Sequence, residues 1–267
     1  MADGRPQILV FTYHKVGTIL FTKIMAAVAR QFGMKMRAMT GVARFVDKTA
    51  DIVVFPHSAN NLNLNEYDNN FRGVRLVRDP RDIWVSGYLY HRHCDEPWCI
   101  NTDLSITDPI SLPKIPHSQD YRPEIWKRAY LQSLGARSYQ QNLLNLSRPE
   151  GLAFELRGYA GWTIESIFRW QSHPAVIDVA MERVSTDFDG AMLDIFTHLG
   201  FSGDELRQAV ALAAAEDVAR MTDGQIAANP HIHSRQLSKW RSILDDADLE
   251  RYAARFEGVA GSLGYAE

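Results

Sequence analysis

The chain has 267 residues, 46% of them hydrophobic and 23% charged, enough apolar material for a large α/β core without disulfide staples. That balance excludes a disordered tail, a collagen-like fibre and a disulfide scaffold. Lys and Arg number 29 against 32 Asp and Glu, a formal charge of -3, so there is no overall electrostatic case for nucleic acid or an anionic membrane as partner, and any bound anion must be held by local groups. No run approaches the roughly 18 apolar residues of a membrane span, the first residues show no signal-peptide profile, and Cys94 and Cys99 are the only cysteines. A cytoplasmic setting is expected.

Gln7 to Tyr13 (QILVFTY) is a short, almost wholly apolar run, and Thr18 to Phe32 then repeats apolar residues at helical spacing through Leu20, Ile24, Ala27, Val28 and Phe32. The pattern is strand, tight loop, helix. Asp51 to Pro56 and Gly73 to Arg78 are two further β-branched runs, and Asp79-Pro80 before Arg81 to Arg92 reads as a capped helix with proline in its first turn. Leu152 to Leu156 and Ala175 to Met181 supply two more expected strands; helices are expected over Glu124 to Leu146, Trp162 to Gln171, Asp187 to Leu199, Gly203 to Met221 and Asp245 to Leu263. Continuous apolar strands alternating with helices predict an α/β fold, a mostly parallel central sheet of about five strands flanked by helices. No linker or composition shift divides it, so residues 1–267 are expected to form a single domain. The stretch from Cys94 to Pro123 carries five prolines and little apolar periodicity; a loop of that length is usually functional or mobile.

In open parallel sheets ligands bind beyond the carboxyl ends of the strands, where helix N-termini also offer free N–H groups. Strand one ends in Tyr13-His14-Lys15-Val16-Gly17-Thr18, the second long strand in His57-Ser58, and the third in Arg78-Asp79. Lysine beside a glycine turn at a helix start suits phosphate or sulfate: backbone donors, a point charge and a hydroxyl in one small space. It is not a Walker A loop, since Lys15 precedes the only glycine, and no G-x-G-x-x-G occurs.

Taken with TYHKVGTILF at residues 12 to 21, VRLVRDPRDIWVSGYLYH at residues 74 to 91 resembles the two nucleotide-binding signatures of sulfotransferases that use 3'-phosphoadenosine 5'-phosphosulfate (PAPS), P-K-S-G-T-T-W-L and R-D-P-R-D-x-x-V-S-x-Y-x-H. Lys15, Gly17, Thr18, Arg78, Asp79, Pro80, Arg81, Asp82, Val85, Ser86, Tyr88 and His91 match by position. Supporting likeness comes from the helix before the strand Ile177 to Met181, from Phe188 to Gly200, and from His233 to Phe256.

The resemblance implies a P-loop-like fold and transfer of a sulfuryl group from PAPS to a hydroxyl or amine, without a metal, leaving 3'-phosphoadenosine 5'-phosphate (PAP). Lys15 would bind the 5'-phosphosulfate and stabilise the bridging oxygen; Val16, Gly17, Thr18 and Ile19 belong to the cofactor loop, with backbone N–H groups of the last three as donors and the Thr18 hydroxyl as another. Arg78 and Ser86 would hold the 3'-phosphate. A salt bridge from Arg78 to Asp79 or Asp82, and a solvent-facing Ser86, are the plainer alternatives for each residue alone. His57 is the candidate general base, at the place of a K-T-H-like segment whose lysine is here Phe55; neutral imidazole suits proton removal near neutral pH.

The chain also departs from the signatures. The proline before lysine is His14, the serine after it Val16, the adenine-stacking tryptophan Leu20; a later stacking aromatic falls near Val218, and the tyrosine before Glu182 falls on Met181. In the closing loop Trp240 anchors the match, and the resemblance implies Arg235, offset by two, as the extra phosphate ligand. His91, His93, Cys94 and Cys99 could suit zinc in kind but not in spacing, and a short-range disulfide or ordinary loop residues are the alternatives. Small-molecule, lipid and carbohydrate acceptors are all open. Two competing functions are a small-molecule kinase using ATP and an inactive nucleotide-binding protein.

Overall fold

Gln7–Phe11 is buried at every position, as a strand covered on both faces must be, and forms β1. The computed structural model describes residues 5–39, 43, 45–56, 62–68, 70–103, 105, 129–130, 132–135, 137–227 and 236–266. After β1 come α1 (Thr18–Gln31), β2 (Met36–Ala38), β3 (Ile52–Phe55), β4 (Phe71–Val77), α2 (Pro80–His91), α3 (Tyr139–Asn145), α4 (Arg148–Arg157) and α5 (Tyr159–Phe168). They are followed by β5 (Val176–Ala180), α6 (Met181–Thr186), α7 (Phe188–His198), α8 (Gly203–Ala213) and α9 (Asp246–Phe256). Backbone proximity groups the chain into two compact units, Met1–Arg78 with Arg169–Leu237, and Asp79–Phe168 with Ser238–Glu267.

The first unit holds the sheet. Among the described residues its five strands run in the order β2-β3-β1-β4-β5, every pair parallel. From β1 the chain goes first to β2 and β3 on one side and then to β4 on the other, so the carboxyl end of β1 is the topological switch point where ligands of such sheets bind. Leu9, Phe11, Val53, Phe55 and Phe71 pack one sheet face; Phe11 stacks on Phe55 at 4.9 Å and meets Trp170 edge-on at 4.7 Å. Helix α1 buries Phe21, Ile24, Met25 and Val28, one helical stripe, and packs against β2, β3 and α8.

In the second unit α2 starts at an Asp79 cap, whose carboxylate accepts the Arg81 N–H at 2.9 Å, with Pro80 in the first turn. It packs against α4 and α5. Glu155 of α4 is fully buried and accepts from the Tyr139 hydroxyl at 2.9 Å and the Ala160 N–H at 3.1 Å, while both its oxygens lie 3.0 Å from His91 Nδ1. Trp98 stacks on Tyr159 beside this cluster.

The parallel α/β sheet is present as expected, but its membership differs. Leu152 to Leu156, expected as a strand, lies inside α4. The Ser147–Glu150 capping box and Pro149 start a helix there, and burial of Leu152, Ala153 and Leu156 follows the helical period. The fifth strand is β2, a three-residue edge strand too short and too exposed to show in the sequence. The expected helix from Gly203 to Met221 is regular only to Ala213 and continues as two 3₁₀ turns around Asp217, whose carboxylate caps Ala219. That from Asp245 to Leu263 breaks at Gly258, φ 74°. Residues 124–128 of the expected Glu124 to Leu146 helix lie outside the described residues; a Ser138–Gln141 capping box starts α3 later.

Candidate functional site

Beyond β1 the chain makes two left-handed steps, at Lys15 (φ 61°) and Gly17 (φ 67°). For glycine this conformation is free, and the position admits nothing else: a Cβ on Gly17 would sit 2.7 Å from Leu76 Cδ1 and 2.8 Å from Met181 Sδ. For lysine it costs about 1–2 kcal/mol, so neighbouring contacts must hold it. The Tyr13 carbonyl accepts the Val16 N–H and the Thr18 hydroxyl, each at 2.9 Å, and the Lys15 carbonyl accepts from Arg78 Nη1 at 3.0 Å. Helix α1 then begins at Gly17 without a side-chain cap and without an acidic residue in its first turn. Its first N–H groups have no intrahelical acceptors, the kind of helix start at which anions can bind, and it lies at the switch point directly after Lys15.

Lys15, Val16, Gly17, Thr18, Ile19 and Arg78 are thus gathered at the carboxyl edge of β1 and β4. The Thr18 hydroxyl, expected to face a ligand, instead donates to Tyr13 and meets Thr12 Oγ1 at 3.0 Å, closing the loop on itself. Val16 is fully buried and contributes backbone alone, and His14 is 6% exposed. Ser86 is buried in α2, within the second unit, so the solvent-facing alternative does not hold for it. His57 and Arg235 lie outside the described residues, as do His231, His233 and most of the stretch from Cys94 to Pro123.

The rest of the R-D-P-R-D segment has structural work. Asp79 caps α2 and binds Arg81 through both oxygens at 2.9 and 2.8 Å. Asp82 accepts the Ser238 and Trp240 N–H groups at 3.0 Å each, and Arg81 lies over the Trp240 ring at 4.0 Å. His91 belongs to the Glu155 cluster; Cys94 and Cys99 are buried free thiols, with Cys99 Sγ donating to the His91 carbonyl at 3.5 Å. Among the described residues no three or more His, Cys, Asp or Glu side chains converge as a metal site requires.

Sequence reasoning passed over Tyr13, Arg75 and Asp178. Tyr13 is fully buried behind the loop, and that burial pushes its phenol up to about 12, against the nearby Arg75 guanidinium, which lowers it. Arg75 donates from Nε to Asp178 Oδ1 at 2.7 Å and pairs through Nη2 with Oδ2. The available signal was a single arginine inside the apolar run Gly73 to Val77, which in a covered parallel strand demands a partner.

No protein-family model matches the chain, and no curated protein matches it in sequence. Among solved structures, retinol dehydratase in complex with androsterone and inactive cofactor PAP is similar to it with a TM-score of 0.51 and 14% identity, over 96% of this chain and 81% of that one. Retinol dehydratase in a complex with retinol and PAP gives 0.50 and 14%, over 96% and 82%. Mouse sulfotransferase SULT7A1 complexed with PAP gives 0.48 and 14%, over 99% and 90%. The likeness is one of fold, and this chain has the parallel α/β fold that its resemblance to the PAPS-dependent sulfotransferases implies.

Proposed function

We propose that the chain transfers the sulfuryl group of PAPS to a hydroxyl or amine of a small-molecule, lipid or carbohydrate acceptor, in the cytoplasm and without a metal. The observation that carries this reading is the Lys15 corner: a left-handed lysine at an uncapped helix start, its carbonyl tied to the arginine that opens the R-D-P-R-D segment. The PAP, androsterone and retinol named for the similar structures support a nucleotide 3'-phosphate at one end and a hydroxyl-bearing apolar acceptor at the other.

In the proposed reaction the acceptor oxygen forms a bond to sulfur as the bond from sulfur to the bridging oxygen breaks. The electron pair of that bond passes to PAP, where the Lys15 ammonium and the α1 N–H groups stabilise the developing negative charge. The acceptor proton goes to His57. Arg78 and Ser86, eight residues apart in the sequence, hold the 3'-phosphate, with Arg235 as a further ligand. The sequence departures at Val16, Leu20 and Val218 are compatible with an inactive nucleotide-binding protein, and ATP-dependent phosphoryl transfer is the other competitor. Against the latter stands the missing Ser/Thr after a G-K pair, the usual magnesium ligand. Incubation with labelled PAPS and a panel of phenols, alkyl alcohols, lipids and glycans tests the reading. Transfer of label to at least one class supports it, and label retained on the nucleotide with every acceptor contradicts it.

Replacing Arg78 by alanine removes a charge-assisted contact to phosphate, worth about 1.5–3 kcal/mol, so calorimetry should find PAP affinity lowered about ten- to a hundredfold. The loss should be smaller for adenosine 5'-phosphosulfate, which lacks the 3'-phosphate. Unchanged PAP affinity would remove Arg78 from the site.

A further inference from the structure

We infer that Asp82 is a positioning residue for the nucleotide's 3'-phosphate: its carboxylate seats segment 238–240 on the face of α2 that carries Ser86. The inference rests on the sulfuryl-transfer reading for the role of Ser86 and on the second unit's own contacts for the seating.

Helix α2 has two faces with different tasks. Trp84, Gly87, Tyr88 and His91 fall at helical spacing on one of them and meet α4. The Trp84 indole N–H donates to the Leu152 carbonyl at 2.8 Å, and His91 Nδ1 lies 3.0 Å from Glu155. The two helices run close there, for a Cβ on Gly87 would sit 2.7 Å from Glu155 Oε1 and one on Gly151 2.8 Å from Tyr88 Cε2. This face fixes α2 in its unit. Asp82 and Ser86 are one turn apart on the opposite side, and both are buried.

Segment 238–240 lies against that side at Asp82. The Ser238 N–H donates to Asp82 Oδ2 and the Trp240 N–H to Oδ1, each at 3.0 Å, so both oxygens of one carboxylate are engaged by backbone groups two residues apart. Such a grip fixes direction as well as distance. It also holds an unfavourable shape: Ser238 has φ 53°, a left-handed conformation that a residue with a Cβ keeps only when its surroundings impose it. Arg81, itself bound by both Asp79 oxygens, lies over the Trp240 ring at 4.0 Å and adds a side-chain contact to the same seat. The seat lies one helical turn from Ser86. Arg235, which the proposed function gives to the same phosphate, precedes Ser238 by three residues in the sequence, at most about 11 Å of extended chain. Asp82 is no ligand in this scheme; it acts through the backbone that it holds.

Residue-resolved hydrogen exchange on the free protein reads the seat directly, through the Ser238 and Trp240 amides. The reference is the Ile83 amide, bonded to the Asp79 carbonyl in α2. In Asp82→Asn, which keeps the shape and only one acceptor oxygen, at least one of the two amides should exchange about tenfold faster while Ile83 stays within twofold. Asp82→Leu, with no acceptor, should release both; if it does not fold, Asp82→Asn decides alone. Calorimetry supplies the readout that a merely structural role would not move. In Asp82→Asn the affinity for PAP should fall about fivefold, and that for adenosine 5'-phosphosulfate, which lacks the 3'-phosphate, should stay within about twofold. Unchanged Ser238 and Trp240 exchange, an acceleration shared equally by Ile83, unchanged PAP affinity, or equal losses for the two nucleotides would each overturn the inference. A wild type that binds no PAP refutes the sulfuryl-transfer reading, and the exchange rates then decide the seating role by themselves.

Discussion

Replacing His57 by alanine is expected to lower sulfuryl-transfer turnover by about 10² or more while leaving PAP affinity within a few-fold. In the sequence His57 comes two residues after Phe55, which ends β3 and pairs in register with Phe11 of β1, so the two strands end at the same level. In the proposed reaction Lys15, after β1, serves the leaving phosphate, and a base from the segment after the neighbouring strand serves the acceptor. It is needed in the transition state and not for cofactor binding, which separates turnover from affinity. His14 offers the contrast. It is buried next to Lys15 in the loop after β1, which the proposed function assigns to the cofactor, so His14→Ala should lose more in PAP affinity than in turnover. Steady-state kinetics and calorimetry on both variants decide the matter: near-normal turnover in His57→Ala moves the base to His14 or to a carboxylate.

The second large effect is on stability. Glu155→Ala removes the common acceptor of Tyr139, the Ala160 N–H and His91 from a site with no exposed surface. Breaking a buried charged cluster by deleting one partner costs about 3–5 kcal/mol, because the remaining donors lose their partner without gaining water. Denaturant unfolding should show a midpoint shift of that size. Glu155→Gln, which keeps one acceptor oxygen, should lose less. A change below about 1 kcal/mol in Glu155→Ala, well short of the loss expected for a buried cluster, would mean the cluster relaxes freely.

Much of the sheet was legible because parallel strands buried on both faces write themselves as continuous apolar runs, as β1, β3 and most of β4 do, while the less buried edge strand β5 showed through its β-branched residues. Two elements were hidden for different reasons. The three residues of β2 are too few to carry a pattern, and Leu152 to Leu156 is apolar enough for either state, so the arbiter was Ser147-x-x-Glu150 upstream, a capping box that the run itself does not contain. At the candidate site the tight turn at Lys15, Gly17 and Thr18 was readable from the residues themselves, and Arg78 came from the resemblance of its segment to a family signature. The direction of the Thr18 hydroxyl was not, because it depends on the Tyr13 carbonyl coming back within 2.9 Å. Nor was the Arg75–Asp178 pair, whose members are 103 residues apart and meet only through strand register. Arg81 and Asp82 matched the same motif as Arg78, yet they hold Asp79, Trp240 and the Ser238 N–H in place within the second unit.

In the proposed function the Lys15 corner and Arg78 serve a nucleotide carrying a 3'-phosphate. Calorimetric titration of the intact chain with PAP and, separately, with ATP and magnesium tests it most directly. The 3'-phosphate contact, worth about 1.5–3 kcal/mol, predicts that PAP binds about ten- to a hundredfold more tightly than ATP, with no requirement for magnesium. ATP binding as tightly as PAP, and only with magnesium present, would contradict it.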